Sequence, residues 1–499
     1  MAQELKLEKL AMIGCGSMGG GMGQLFADHG YQVGLQDPST DAMDKIVKEA
    51  KENNIGDKVH RFDDYSSLCK WLGNPKVFVW SLPHGTVGDK VLDGLMPYLK
   101  KGDIIIDAAN EHWENSERRQ GKVVPKGIRY IAMGVSGGYQ AARRGPSCCP
   151  SGDDESLDLV LPHIQKIAAK DAEGRPCAQK IGTGSAGHYV KMIHNGIEHG
   201  MMAAISEAWG VMTKGLKMPL EDVAKEFYRW NDKGEFKNTF LVRIGGDICS
   251  TKDPKTDDHI LDRVEDKVVQ DVVGEEGTGV WSNEEEIHEH IPAPTLTVAH
   301  YLRIASADLA QRRKVKKNFD FDYPPQQIDV PDKAEFLESL RIATYAACLA
   351  SYIEGMNVIW RANKEKKFNI NFDNVLHIWH AGCIIQTDYI TRELMEPIYK
   401  DWQTKDNINP LYETTIAKEF QRSFPALKKV VLKGTEGDHI VPTLSATLAY
   451  LKIQTSTDLP TSFLEAELDY FGNHRFDEKG DDPSGKPQMG KYTYEWKAA

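Results

Sequence analysis

Lys191, His194, Asn195, Glu198 and His199 fall at i, i+3, i+4, i+7 and i+8 within Gly187–Trp209, so a helix there presents all five on one face. Val190, Met192, Ile193, Ile197, Met201, Met202 and Ile205 occupy the other faces. A helix this apolar is expected to be buried, with its polar stripe lining a cleft. A solvent face is the competing reading, since Lys and Glu are common there. Two His, an Asn and Gly196 are odd choices for an exposed helix that depends on propensity. A lysine and a glutamate two turns apart can work as paired base and acid. Lys191 must be neutral to take a hydroxyl proton, and burial or a nearby cation lowers its pKa for that task. Glu198 needs a raised pKa to donate one, which partial burial supplies.

A second chemical signature lies near the N-terminus. The apolar run Leu10–Gly14 leads into Gly14-Cys15-Gly16-Ser17-Met18-Gly19, which opens a helix. This is the G-x-G-x-x-G spacing in the strand–turn–helix setting that dinucleotide binding requires. Gly14 permits the tight turn, Gly16 lets a pyrophosphate approach the backbone, and Gly19 lets helix and strand pack closely. N–H groups at the helix start, from Ser17 and Met18 onward, supply the anion site. Asp37 ends the second apolar run, 18 residues after Gly19. A carboxylate there accepts hydrogen bonds from ribose hydroxyls and repels a 2′-phosphate. Pro38 follows, with no Arg at that strand end, so NAD is favoured over NADP. Plain turn roles for the glycines and for Asp37 are the alternatives.

The elements that must position these residues divide the chain. Apolar runs at 10–14, 31–37, 76–82, 103–109 and 129–135 alternate with helical stretches such as Gly20–His29 and Asp41–Asn53. That rhythm predicts parallel strands joined by right-handed crossovers. After Gly182 strand signals stop, and long helical segments follow: His188–Lys214, Ala334–Glu365 and Thr443–Lys452. The expected architecture is an α/β Rossmann-type dinucleotide-binding domain (1–184), a large all-α domain (185–456) and a C-terminal tail (457–499). The charged region Thr251–Glu289 is expected to include exposed loops.

Composition excludes several classes. At 499 residues the chain is too long for one ordinary domain. Its 41% apolar and 27% charged residues are those of a soluble globular protein, not a disordered one. Sixty-one Lys+Arg against 73 Asp+Glu give −12, so a nucleic-acid partner has no support. Eight scattered cysteines without a C-x-x-C pair suggest neither a disulfide scaffold nor zinc. No metal site is expected. The N-terminal apolar run is too short for a signal peptide or a membrane span, and cytoplasm is the default address.

Six motifs in order along the chain resemble 6-phosphogluconate dehydrogenase: GVSGG (134–138), RRGPS (143–147), GHYVKMIHNGIE (187–198), EGTGVW (276–281), GCIIQ (382–386) and DYFGNH (469–474). The resemblance implies oxidation of a sugar acid at carbon 3 followed by decarboxylation to a ketose, without a metal, in a homodimer whose tails cross into the neighbouring subunit. It makes Lys191 the group that takes the hydroxyl proton and Glu198 the one that protonates the enediol. It places Asn110 at both nicotinamide and substrate and Leu82 on the cofactor side. Ser136, Gly137 and Gly138 should hold the carboxylate end, and His194 and Asn195 the hydroxyls. Thr278 and Arg303 match phosphate ligands, and His474 a tail histidine given to the partner.

Three positions depart from the family pattern. His199 stands where the family has tyrosine, Glu276 where it has lysine, and Leu468 where it has arginine. All three family residues hold the sugar phosphate. Each charged hydrogen bond lost is worth roughly 1.5–3 kcal/mol, so the departures predict an unphosphorylated or differently substituted acid. The ordinary family activity is the first alternative. A non-decarboxylating β-hydroxyacid dehydrogenase and an idle nucleotide-binding paralogue are others, and chain length and the Lys191–Glu198 pair argue against both.

Overall fold

The apolar runs of the front half become strands because both faces of each must be buried. The computed structural model describes residues 5–270, 277–319, 323–481 and 484–496. Its sheet comprises β1 (Lys9–Ile13), β2 (Gln32–Gln36), β3 (Val59–Arg61), β4 (Val77–Trp80), β5 (Ile104–Asp107), β6 (Arg129–Ser136) and β7 (Ser147–Ser151). Their order is β3-β2-β1-β4-β5-β6-β7. Leu10, Met12, Val33, Val79 and Ile106 pack on one face, and Ala11, Ile13, Phe78 and Ile105 on the other. That is the two-residue alternation of a pleated strand. The order reverses between β1 and β4, which opens a crevice beyond the carboxyl ends of the strands.

Two strands carry no sequence signal. β3 spans three residues, too few for any period, and β7 is a buried Ser-Cys-Cys-Pro-Ser run of low strand propensity. The all-parallel expectation needs correcting at β7, which pairs antiparallel to β6 with Ser136 opposite Ser147. Only the helix Gly138–Arg144 and a short turn separate the two strands, too little chain for a parallel crossover.

The polar-striped segment forms the helix Ala186–Gly210, buried along nearly its whole length and continued by a π-helical turn, Val211–Gly215. Helices Thr278–His288, Pro294–Ala307 and Lys333–Lys366 pack around it, and β6 touches its start. Gly196 permits one of these crossings, because a Cβ there would lie 2.1 Å from Ser282 Oγ. The helix Lys333–Lys366 is long and apolar enough to cross a membrane, yet 89% of its apolar window is buried within the fold. It serves as a core helix.

Two buried glutamates tie these helices together by capping their neighbours. Glu354 accepts the Thr295 and Leu296 N–H groups at 3.0 and 3.2 Å, at the start of Pro294–Ala307. Glu207 accepts those of Thr443 and Leu444 at 2.7 and 3.0 Å, at the start of the helix Pro442–Gln454. A carboxylate satisfies the orphan donors of a helix N-terminus and its positive dipole end.

The chain divides into two compact units at Leu448. The second contains the helix Thr461–Gly472, followed by extended chain with one isolated bridge, Phe476 to Tyr492. Asp469 ties this chain down by accepting from Arg475 N at 3.0 Å, Tyr494 N at 3.0 Å and Trp496 Nε1 at 2.8 Å.

Burial pushes the Glu207 carboxyl from its ordinary 4.5 up to about 7, against the two capping N–H groups. A folded-state pKa raised above the unfolded one gives stability that is full below pH 4.5 and lost as pH rises through 7. The loss is about 3 kcal/mol. Glu207→Gln should remove about that much from the difference in unfolding free energy between pH 4.5 and pH 8, measured by urea denaturation. An unchanged difference would contradict the burial argument.

Candidate active site

The turn after β1 has the shape of an anion cradle. Gly14 has φ +91°, and a Cβ on it would lie 2.2 Å from the Ser81 carbonyl oxygen and 3.2 Å from Leu82 Cδ2. A Cβ on Gly19 would lie 2.0 Å from the Gly14 carbonyl oxygen. Gly16 instead has open space where a Cβ would stand, and it begins the helix Ser17–Asp28 without a side-chain cap. Ser17 is exposed and Met18 half-buried at that helix start. Backbone N–H groups and the dipole's positive end therefore face outward, which fits a pyrophosphate.

Asp37, half-buried just past β2, accepts the Cys15 N–H on Oδ2 and the Ser39 N–H on Oδ1, each at 2.7 Å. It thus caps its own turn and braces the Gly-rich one. Reading in chain order missed Arg61. Its strand β3 pairs with β2, Arg61 opposite Leu35, which brings a guanidinium to the strand end where none was expected. Asp44 and Asp63 hold it at 2.6 and 2.8 Å.

Asn110 is exposed just past β5, in a loop fixed by a buried ion network. Arg119 lies 2.7 Å from Glu111 and 3.4 Å from Asp107 and donates to the Gly85 carbonyl at 2.5 Å. Glu111 accepts the Gly85 N–H at 3.0 Å, so one guanidinium joins the loops after β4 and β5. His188 carries the network into the helical part, 2.6 Å from Ser116 Oγ and 3.0 Å from the Asp107 carbonyl. From the same two loops, His84 and His112 set their rings 5.1 and 5.2 Å from that of Trp281.

The helical stripe closes the crevice. Lys191 is 6% exposed and donates to Asn195 Oδ1 at 2.7 Å, with His194 Nδ1 at 3.2 Å. Both partners are uncharged amide or imidazole. Burial pulls the Lys191 pKa below its ordinary value, with Glu198 partly opposing. His194 is driven down by burial and by Lys191, so it is neutral. Its Nε2 lies 3.1 Å from both Ser136 Oγ and Cys383 Sγ. Glu198, with 21% of its side chain exposed, has its pKa raised by burial, opposed by Lys191 and Arg303. Ser136 ends β6, and Gly137 and Gly138 follow with φ of +104° and +67°. The loop is pinned by the Ile384 N–H donating to Ser136 Oγ at 3.3 Å.

At the far end Asn195 Nδ2 donates to Thr278 Oγ1 at 2.7 Å. Thr278 opens the helix Thr278–His288 after Gly277, with no side-chain cap and no acidic residue in the first turn. His199 stacks on His300 with centroids 5.7 Å apart, and burial, then Arg303, hold it neutral. Arg303 is half-buried and close enough to act on both His199 and Glu198. Glu276 lies outside the described residues. Leu468 and His474 belong to the second unit, His474 exposed with its ring 6.0 Å from Phe471.

A crevice with a dinucleotide cradle on one side and a buried lysine on the other agrees with what the chain is similar to. Residues 9–182 match the NAD binding domain of 6-phosphogluconate dehydrogenase, and 187–496 match that enzyme's C-terminal domain. The chain belongs to the 6-phosphogluconate dehydrogenase family. The decarboxylating 6-phosphogluconate dehydrogenase of Emericella nidulans is 40% identical over 97% of this chain and 100% of its own length. The Escherichia coli enzyme of that name is 32% identical over 95% and 98%. A Plasmodium falciparum 6-phosphogluconate dehydrogenase, solved apo, with NADP+ and with 6-phosphogluconate, superposes with a TM-score of 0.85 at 30% identity, covering 98% of this chain and all of its own.

Within this member of the family, Gly134 on β6 makes the room that Lys191 occupies. A Cβ there would lie 2.3 Å from Lys191 Cβ. Gly134→Ala should displace the lysine without removing it, lowering kcat at least tenfold while the dinucleotide Kd changes less than twofold. Equal loss of both would show that the substitution damages the fold instead.

Proposed function

We propose that the protein oxidises 6-phosphogluconate at carbon 3 and decarboxylates it to ribulose 5-phosphate, with NAD(P) as oxidant. The observation that carries this reading is the buried Lys191 among neutral partners, one face of one helix away from a carboxyl of raised pKa. The family assignment supplies the reaction class. Gly14, Gly16, Ser17, Met18 and Gly19 would hold the pyrophosphate, with Leu82 and Asn110 beside the nicotinamide, which supplies the hydride acceptor when bound. Neutral Lys191 takes the carbon-3 hydroxyl proton as the carbonyl forms. The resulting ammonium polarises the ketone oxygen, and returns its proton there as carbon dioxide leaves. Glu198, its pKa raised by burial, would deliver a proton to the carbon that lost carbon dioxide. Ser136, Gly137 and Gly138 would receive the carboxylate end, and His194 and Asn195 the hydroxyls.

Thr278 at an uncapped helix start, Arg303 and the His199 side chain would receive the phosphate. An unphosphorylated substrate was the expectation from His199, Glu276 and Leu468; the curated relatives named for 6-phosphogluconate favour the phosphorylated acid instead. For the cofactor, the Asp37 carboxylate supports NAD, whereas Arg61 and the NADP+ complex of the Plasmodium enzyme support NADP. We favour NAD, because Arg61 is already engaged by two carboxylates. A homodimer with exchanged tails is supported by the exposed Phe463, Leu464, Tyr470 and Phe471 of the second unit; His474 would then serve the partner's site. The division at 184 is proposed on the sheet's end at Ser151 and the helix start at Ala186, and that at 456 on the end of the helix Pro442–Gln454. Eight free, buried cysteines suit a reducing, cytoplasmic setting.

Lys191→Met should abolish reduced-cofactor formation while leaving dinucleotide Kd within about twofold. Glu198→Gln should slow ketose release more than reduced-cofactor formation. Stopped-flow absorbance beside a ribulose 5-phosphate assay separates the two, and full turnover by the Lys191 variant would overturn the assignment. In the same assays 6-phosphogluconate should exceed gluconate in kcat/KM by at least tenfold, and a win by gluconate restores the unphosphorylated reading. For the cofactor, kcat/KM with NAD should exceed that with NADP, and Asp37→Ala should narrow the gap; a wild-type preference for NADP would reverse the assignment.

A further inference from the structure

Behind the segment that backs the candidate active site, three metal-ligating side chains converge from distant parts of the chain. His377 Nδ1 and His380 Nδ1 each lie 3.8 Å from Asp171 Oδ2. All three ligand atoms fall within 4.8 Å of one another, and all three residues are buried. At 3.8 Å none of these pairs is a hydrogen bond. Ligand atoms about 2.1 Å from one tetrahedral ion stand roughly 3.4 Å apart, so each histidine would close on Asp171 by about 0.4 Å and the widest spacing, up to 4.8 Å, by more.

The outer contacts set the tautomers. His377 Nε2 lies 3.2 Å from the Pro176 carbonyl oxygen, which can only accept, so the ring proton is on Nε2. The Glu396 carboxylate stands 2.6 Å from His380 Nε2, close enough to take up that nitrogen's proton once the ring turns toward a metal. The Nδ1 atoms of both rings thus stand 3.8 Å from one carboxylate oxygen, and both ring nitrogens of His380 are buried without a hydrogen-bond partner among the described residues. Imidazoles braced on the far nitrogen by a carbonyl and a carboxylate are how proteins present His to a metal. Arg175 now holds Asp171 Oδ2 with Nε at 3.0 Å and Nη2 at 2.8 Å, and Arg392 stands 3.9 Å away. The Arg175 side chain is 55% exposed and can swing out. Around the two guanidiniums lie the carboxylates of Asp171, Glu173, Asp388 and Glu396, so the surroundings favour a further cation. An open pocket bordered by Arg175, His377, Arg392 and Glu396 gives an entry path.

The structure assigns Asp171, His377 and His380 as a binding site for a divalent transition-metal ion such as zinc, with water completing the shell. The ion would be structural, since the ligands leave the reacting groups untouched. It would join the loop after the helix Asp154–Ile167 to the segment whose Cys383 and Ile384 contact His194 and Ser136. Full-length protein stripped with a chelator and titrated with Co2+ should bind one equivalent per chain, with a visible ligand-field band and a rise in melting temperature. His380→Gln and His377→Gln should each abolish the band, Glu396→Gln should weaken binding about 10–100-fold, and Arg175→Gln should tighten it. Should the histidine variants fail to fold, the opposite shifts of Glu396→Gln and Arg175→Gln still decide the matter. Binding well below one equivalent, or a band unchanged in these variants, would overturn the assignment and leave Asp171 as Arg175's partner alone.

Discussion

Carrying one amine into the interior without a carboxylate in hydrogen-bond range is the constraint on which the rest of the site depends. Among the described residues Lys191 reaches only the Asn195 amide and the His194 ring, both uncharged, while Glu198 acts on it from farther away. An ion pair at contact would raise the lysine's pKa and cancel the effect of burial. The helix Ala186–Gly210 must therefore be enclosed on all sides yet leave one stripe open. Gly134 and Gly196 serve that end by letting β6 and the helix Thr278–His288 approach where a Cβ would collide.

Charge is used differently a few residues away. Arg119 is buried among Asp89, Asp107 and Glu111 and performs no proton transfer in this account. Its guanidinium fixes two loops whose backbones have no regular structure, and thereby the position of Asn110. Losing it would leave several buried carboxylates unpaired, which costs far more than the pairs contribute. Rigid placement of loop residues by a buried cation and tuning of a buried amine by neutral neighbours are complementary uses of one low dielectric.

Much of this was legible in the sequence where it is periodic or local. The i, i+3, i+4, i+7, i+8 stripe and the glycine spacing both specify geometry within one or two turns of chain, and both appear as read. Strands long enough to show a pattern were found; β3 and β7 were not, because three residues show no period and a buried Ser/Cys/Pro strand resembles a loop. What joins distant segments was hidden. Arg61 reaches the end of β2 only through strand pairing, His188 and Arg119 read as ordinary helix residues, and Asp171 lies more than 200 positions from His377. Asp37 illustrates a further limit, since capping a turn and accepting from a ribose call for the same carboxylate, and residue type does not rank the two.

The ionisation of Lys191 itself tests this account most directly. Protein labelled with 13C at lysine Cε, with Lys191→Met used to assign the resonance, gives its titration by NMR. Burial among neutral partners predicts a midpoint below the ordinary lysine value of 10.5, in the enzyme free of substrate. A midpoint at or above that value would mean that the amine is held as a cation, and the proton-accepting role built on its burial would fall.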